Sequence, residues 1–180
     1  MTGVQTCALP ICLLKQAIRD NNPVIFLEQK KLYNVKGMVP DEDYTIPFGV
    51  ADVKREGTDV SIFTYGRMVQ MSLDVAEKLA EEGINVEVVD LRTLSPLDTN
   101  TIIESVKKTH KAVIVHESVQ FGGFGGEVAA QITDSEAFYY LDAPIKRVGA
   151  LYCPVPFNPT LEAETFPTPA KIEAAVRDVL

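Results

Sequence analysis

From Asp59 onward, the chain alternates between short continuous runs of apolar residues and stretches with helical spacing. The apolar runs that begin at Val60, Val86 and Ala112 start 26 residues apart. That interval fits one strand, one helix and two short loops. Near-continuous apolar strands that alternate with helices are typical of parallel sheets covered on both faces. The pattern therefore predicts an α/β fold, a three-layer, doubly wound and mostly parallel sheet.

The later helices and strands carry local signals in the sequence. Ser95 is predicted as the N-cap of a helix, with Pro96 in its first turn and Asp98 as a carboxylate at the third helical position. The segment "IKRVGA" predicts a fourth strand, and a last helix follows a proline-rich connection. Tyr139 and Tyr140 are predicted to be strand or core residues.

The N-terminal third has a different organisation. The segment "LLKQAIRDNNPVIFLEQKKLY" predicts a short helix, an Asn-Asn-Pro turn and a strand over Val24 to Leu27. A polar stretch then leads into the alternating region. We expect residues 13–36 to be the tail of a preceding domain, residues 37–58 to be a linker, and residues 59–180 to be the main domain.

Composition restricts the partners of this chain. A net charge of -8 argues against a nucleic acid or an anionic membrane, because both recruit clustered Lys and Arg, and it favours a basic protein partner. No apolar run is long enough to span a bilayer and no signal peptide is apparent, so a cytoplasmic location is predicted. Cys7, Cys12 and Cys153 lack the spacing of a zinc site or a disulfide framework.

His116 and Glu117 end the third apolar run. The carboxyl ends of strands are where open α/β sheets place their ligands, so a functional role for His116 is considered. The alternative is a histidine that hydrogen-bonds at an interface, which we favour because no Ser or Cys nucleophile lies in a recognisable elbow. Glu117 points to the opposite face of a strand, so the two side chains are not an obvious acid–base pair.

A glycine-rich loop follows, with four glycines between Gly122 and Gly126. The spacing matches neither a dinucleotide-binding fingerprint nor a P-loop. Such a loop exposes backbone N–H groups to a phosphate, or it allows a helix or a neighbouring subunit to approach closely. Phe121 and Phe124 are interleaved with the glycines, which favours packing.

Several motifs together resemble one family. The segments "NPVIFLEQKKLY", "VEVVDLRTLSPLDTN", "GGFGGEVAAQI" and "YYLDAPIKRVGALYCPVPFNPTLEA" are similar to the beta subunit of the thiamine-diphosphate-dependent component of 2-oxoacid dehydrogenase complexes. The resemblance covers Leu13 to Leu180. It implies a transketolase C-terminal-like domain, preceded by the end of the pyrimidine-binding domain. Thiamine diphosphate and Mg²⁺ would be bound in the intact complex, and this part of the subunit would supply no catalytic, cofactor-binding or metal-binding residue.

The resemblance also implies partners and contact residues. The partners would be an alpha subunit, a second beta subunit, and the subunit-binding domain of the dihydrolipoyl acyltransferase. Asp142 and the carboxylate of Leu180 would receive cations of that domain, although Asp142 also suits a turn before Pro144. Contacts with neighbouring subunits would come from the histidine and the glycine loop, namely His116, Phe121, Gly122, Gly123, Phe124 and Gly125.

Residues 1–12 match nothing in the family and are predicted to be an extraneous, disordered segment, as in a truncated gene model. Three alternatives stay open. The chain is the C-terminal domain of another thiamine diphosphate enzyme, such as a transketolase or a deoxyxylulose phosphate synthase. It is a stand-alone nucleotide-binding α/β module that uses the glycine loop. Or it is a non-catalytic interaction protein.

Overall fold

The computed structural model describes residues 8–36 and 43–180. Its strands are β1 (Asp52–Arg55), β2 (Val60–Thr64), β3 (Val86–Asp90), β4 (Ala112–Val119) and β5 (Lys146–Ala150). Its α-helices are α1 (Ala8–Arg19), α2 (Arg67–Ala80), α3 (Thr99–Thr109), α4 (Gly125–Thr133), α5 (Pro159–Thr165) and α6 (Pro169–Arg177). Short 3₁₀ helices cover Lys30–Leu32 and Glu136–Tyr140.

The five strands form one sheet in the order β1-β3-β2-β4-β5. The pairings among β2, β3, β4 and β5 are parallel, and β1 pairs antiparallel with β3 at the edge. The chain adds β3 to one side of β2 and then crosses to add β4 to the other side. This is the doubly wound arrangement, and it confirms the predicted fold class.

Alternate residues of the strands enter two hydrophobic cores, one on each face of the sheet. On one face, Ile62 and Val88 pack with α2 and α6, where Ile172 is fully buried. On the other face, Phe63 and Ile114 pack among residues of α3 and α4. Apolar residues on both faces of each central strand explain the continuous apolar runs in the sequence.

The N-caps of α6 and α3 show where local sequence signals predict a helix start correctly and where they do not. Thr168 accepts a hydrogen bond from Lys171 N, with Pro169 opening α6. For α3, the prediction of Ser95 as the N-cap is wrong. Asp98 is the cap, because its carboxylate accepts from Thr101 N at 3.0 Å and from Ala51 N at 2.8 Å. The helix therefore begins at Thr99, beyond the predicted start.

The N-terminal third departs from the predictions in several ways. The strand predicted over residues 24–27 is expected to lack sheet neighbours in this chain; these residues pair with no described strand, and Ile25 and Leu27 are 89% and 82% exposed. The predicted linker contains β1. The prediction that residues 1–12 are disordered is wrong for residues 8–12, which form the start of α1 and include the buried Cys12. Residues 1–7 lie outside the described residues.

Two further observations concern the surface. Tyr139 and Tyr140 lie in a 3₁₀ helix and are 85% and 41% exposed, so their assignment to a strand or the core is wrong. A 3₁₀ helix places residues in a tight turn, and the buried position here is taken by Ala137. None of the described helices combines the length and hydropathy that a membrane crossing requires.

Candidate functional site: the histidine, the glycine loop and the docking edge

His116 is fully buried within the chain. Its Nδ1 is 2.8 Å from Ser118 Oγ, and its ring stacks on Tyr65 with the centroids 6.3 Å apart. Burial lowers the pKa of His116, and a hydrogen bond with the backbone of Ser118 opposes that shift. The ring is therefore neutral at pH 7, and Nε2 makes no hydrogen bond to a described residue.

The glycine loop closes over this ring. A Cβ atom on Gly125 would overlap the imidazole at Cδ2 and Nε2, and one on Gly123 would overlap the ring at Cε1 and the carbonyl oxygen of Val119. Glycine is required at these two positions because the loop backbone lies directly on the histidine. The glycines therefore serve close packing inside the domain, and this face of the loop is not open to a phosphate.

The structure divides the predicted interface residues into two groups. His116 and Gly125 are buried within the chain, where they pack against each other, and a role for them at a subunit interface stays a prediction. Phe121 and Gly122 lie at the exposed tip of the loop, and the ring of Phe121 is 5.1 Å from that of Tyr152.

Gly123 and Phe124 lie between these groups and are half-buried. Phe124 packs edge-on against Tyr65, with ring centroids 6.2 Å apart. The loop therefore has a buried base that is fixed by contacts within the chain and an exposed aromatic tip. Contact between that tip and another subunit stays a prediction.

Glu117 points away from the histidine, as expected for the next residue in a strand. It accepts a hydrogen bond from Gln29 Nε2, and its carboxylate is 3.5 Å from Arg67 Nη1. It thus links the segment before residue 37 to the start of α2. The contacts are structural, and they do not bring Glu117 and His116 together as an acid–base pair.

Asp142 and Leu180 lie near the opposite end of the sheet, where β5 begins. Asp142 is exposed and lies four residues before Lys146, the first residue of β5. Lys146 forms an ion pair with Asp178, which is two residues before Leu180. That ion pair brings the end of the chain to the segment that carries Asp142. We call the surface around Asp142 and the half-exposed Leu180 the docking edge.

Sequence analysis did not identify a buried charge in β3. Glu87 is fully buried, forms an ion pair with Lys108, and lies 3.3 Å from Ser61 Oγ, which is itself 2.8 Å from Thr109 Oγ1. The available signal was an acidic residue inside the apolar run "VEVVD". Its partners come from α3 and β2, which the sequence could not pair with it. Pairing with Lys108 offsets part of the cost of removing the Glu87 carboxylate from water.

A metal ion requires a set of donor side chains that lie close together. Within residues 8–36 and 43–180, no three His, Cys, Asp or Glu side chains are grouped closely enough to hold a metal ion. The geometry presents two distinct exposed features, the aromatic loop tip and the docking edge.

Comparison with known proteins gives close relatives. The chain is 54% identical over 147 residues to the pyruvate dehydrogenase E1 component subunit beta of Bacillus subtilis, covering 81% of this chain and 45% of that protein. It is 50% identical over 168 residues to the beta subunit of an acetoin:2,6-dichlorophenolindophenol oxidoreductase of Cupriavidus necator, covering 93% and 49%. The chain thus spans about half the length of these relatives.

A solved structure titled as a split gene transketolase, an inactive beta4 tetramer, superposes with a TM-score of 0.67 at 30% identity. The match covers 80% of this chain and 45% of that one. The family model for the transketolase C-terminal domain matches residues 49–172, a range that contains the whole sheet and the first four residues of α6. The sequence match and the shared fold agree, and the chain belongs to the transketolase C-terminal domain family.

Proposed function

We propose that this chain is the C-terminal part of the beta subunit of a 2-oxoacid dehydrogenase decarboxylating component. The observation that carries the proposal is sequence similarity to such beta subunits, in alignments that cover 93% of the chain. One of them is a 2-oxoisovalerate dehydrogenase subunit, at 47% identity. Of the substrates in the names of these relatives, we infer pyruvate, because the pyruvate dehydrogenase subunit of Bacillus subtilis is 54% identical.

In the intact enzyme, this region contributes assembly rather than catalytic groups. We expect the glycine loop not to hold the diphosphate of the cofactor, since the backbone of Gly123 and Gly125 is packed on His116. We propose that the cofactor and Mg²⁺ are bound by the rest of the complex. We also propose that the complex is located in the cytoplasm. A stand-alone nucleotide-binding module is disfavoured by the same packing.

The proposed partners include an alpha subunit and a second beta subunit. The exposed Phe121 and Tyr152 support a protein contact at the loop tip, because exposed aromatic pairs are enriched at interfaces. The relative that is titled a beta4 tetramer supports association between copies of such subunits.

The docking edge is proposed to bind the subunit-binding domain of the acyltransferase. Asp142 is exposed and makes no ion pair with any described residue. The terminal carboxylate belongs to Leu180, which is half-exposed. Both groups are therefore available to Arg or Lys of a partner. The net charge of -8 also favours a basic partner through longer-range attraction, which salt screens.

We expect Asp142→Asn, and separately a two-residue extension after Leu180, to weaken binding to an acyltransferase subunit-binding domain. Removing one partner of a desolvated charge pair costs about 2 to 5 kcal/mol. Calorimetry at low and high salt measures the loss. Asp74→Asn is the matched control, because Asp74 is an exposed aspartate on α2 that hydrogen-bonds only locally, to Gln70. Equal affinities for the parent and both docking-edge variants would remove these carboxylates from the partner site.

A further inference from the structure

The pocket around the imidazole of His116 suits only the neutral form of the ring. Nδ1 has a partner, Ser118 Oγ at 2.8 Å, whereas Nε2 has no hydrogen-bond partner among the described residues. A protonated imidazole carries an N–H on both nitrogens. The N–H at Nε2 would then be a buried, charged donor without an acceptor, which is costly.

The dipoles and charges that face the ring also oppose its protonation. Nε2 lies against Gly125, the first residue of α4, where the helix dipole is positive. From β5, the guanidinium of Arg147 repels a positive ring, while it donates to the carbonyl oxygen of Gln120 at 3.3 Å. Burial raises the pKa of Tyr65, so the phenol that stacks on the imidazole is neutral and does not offset this repulsion.

The acidic residues of β4 and α4 are turned to other partners. Glu117 follows His116 in β4, but its carboxylate contacts Gln29 and Arg67. Glu127, in the first turn of α4, is exposed and accepts a hydrogen bond from Gln131 at 2.7 Å. Neither carboxylate therefore compensates a positive charge on the imidazole.

The cover over the ring is the backbone of the glycine loop. Gly123 lies against Cε1 of the imidazole, and Gly125 lies against Cδ2 and Nε2. Because His116 is fully buried, water reaches Nε2 only when this backbone moves away. The same backbone continues through Gly122 to Phe121 at the exposed aromatic tip. Hydration of the ring and displacement of the tip are therefore one movement.

We propose that the glycine loop is an acid-sensitive closure, which stays shut over His116 while the imidazole is neutral and is released when the imidazole is protonated. The inference goes beyond the proposed enzyme and concerns this domain by itself. When the loop is released, the position of the aromatic tip changes. The position of the tip thus depends on pH.

The sign of the pH dependence follows from proton linkage. In the open loop the ring meets water, where a histidine has a pKa of about 6.5. In the closed loop, burial lowers that pKa. The open form therefore binds more protons between the two values. The closed form is fully favoured above about pH 6.5 and loses stability as the pH falls below it.

The test uses the full chain with Phe121→Trp as a reporter, because the sequence contains no other tryptophan. Release of the tip lowers the fluorescence anisotropy of that tryptophan. We expect the anisotropy to fall between about pH 8 and about pH 5, the range in which histidine changes charge. The equilibrium constant for opening should rise by up to about tenfold per pH unit below about pH 6.5, since one proton is taken up.

The two histidines of the chain provide a matched pair of variants in the reporter background. His116→Asn removes the titrating ring and should abolish the change in anisotropy. His110→Asn should leave that change intact. His110 is the C-cap of α3 in the left-handed conformation, which asparagine also adopts.

Four results would overturn the proposal. The first is a constant anisotropy in the parent reporter. The second is a change that survives in His116→Asn, which would assign it to another group, such as Asp90, whose pKa is raised by burial. The third is a change that is absent in His110→Asn. The fourth is a change that coincides with loss of far-ultraviolet circular dichroism, because the whole domain would then be unfolding.

An NMR titration of the parent chain decides the question if His116→Asn does not fold. Titration of the His116 imidazole below about pH 6.5, together with shifts of the Gly122 and Gly123 amide resonances, supports the proposal. Titration at or above about pH 6.5, or titration without those amide shifts, contradicts it.

Discussion

Gly125 leaves no room for a side chain, because the ring of His116 occupies the space where a Cβ would be. We expect Gly125→Ala to lower the free energy of unfolding by about 2 to 3 kcal/mol, as overpacking against a fixed ring does. Gly126→Ala is the matched control in the same helix, where the new methyl meets Arg147 at 3.6 Å, in ordinary contact. Alanine should stabilise that position by about 0.5 to 1 kcal/mol. Urea unfolding measures both variants, and equal stabilities would contradict the packing argument.

The same contact explains what the sequence could and could not predict about individual residues. The sequence predicted His116 at the end of a strand, but β4 continues to Val119. It favoured packing for the glycines, which the contacts of Gly123 and Gly125 with His116 support. It could not predict that the imidazole is buried beneath those glycines, because the loop folds back over its own strand. Asp142 was identified from the family resemblance. Phe138 and Ala130 line one surface groove, and the sequence could not predict this because it depends on how the helices pack together.

The start of α3 is fixed by a tertiary contact as well as a local cap. Asp98 accepts from Thr101 N within the helix and from Ala51 N just before β1. We expect Asp98→Ala to cost about 2 kcal/mol, since it removes an N-cap and leaves a second amide without its acceptor. Ser95→Ala, at the position that the sequence predicts as the cap, should change stability by less than about 0.5 kcal/mol. Chemical denaturation compares the two, and a larger loss for Ser95→Ala would reverse the assignment.

The sequence predicted the strands whose side chains are buried on both faces of the sheet. It missed β1, which is defined only by its backbone pairing with β3. β2, β3 and β4 are mostly apolar, with Glu87 and His116 among their buried exceptions, so their positions follow from composition. β1 is the short polar segment "DVKR", and it is a strand because its backbone pairs with β3. Residues 24–27 are the opposite case, since their apolar composition predicts a strand but no described strand pairs with them. Pairing with a distant segment is information that periodicity does not carry.

The whole molecule carries an exposed apolar segment near its N-terminal end, which predicts self-association. Ile25 and Leu27 are 89% and 82% exposed in a segment without sheet partners. We expect the double change Ile25→Lys and Leu27→Lys to reduce light scattering at equal concentration, because unpaired apolar chain invites association. Asn21→Lys with Asn22→Lys adds the same charge at exposed polar positions. Scattering that falls equally in both variants would attribute the effect to charge alone.

The position of α6 has a consequence for how the protein is made. This helix is near the C-terminal end of the sequence, yet Ile172 and Val176 complete the core that covers Ile62 of β2 on one face of the sheet. During synthesis, β2 through β5 leave the ribosome before that cover exists, so the face beneath α6 stays open until the last turns emerge. A chain truncated before Pro169 would keep the whole sheet but leave the part of this face that α6 covers exposed, with only α2 packed beside it, and would be a natural substrate for chaperones.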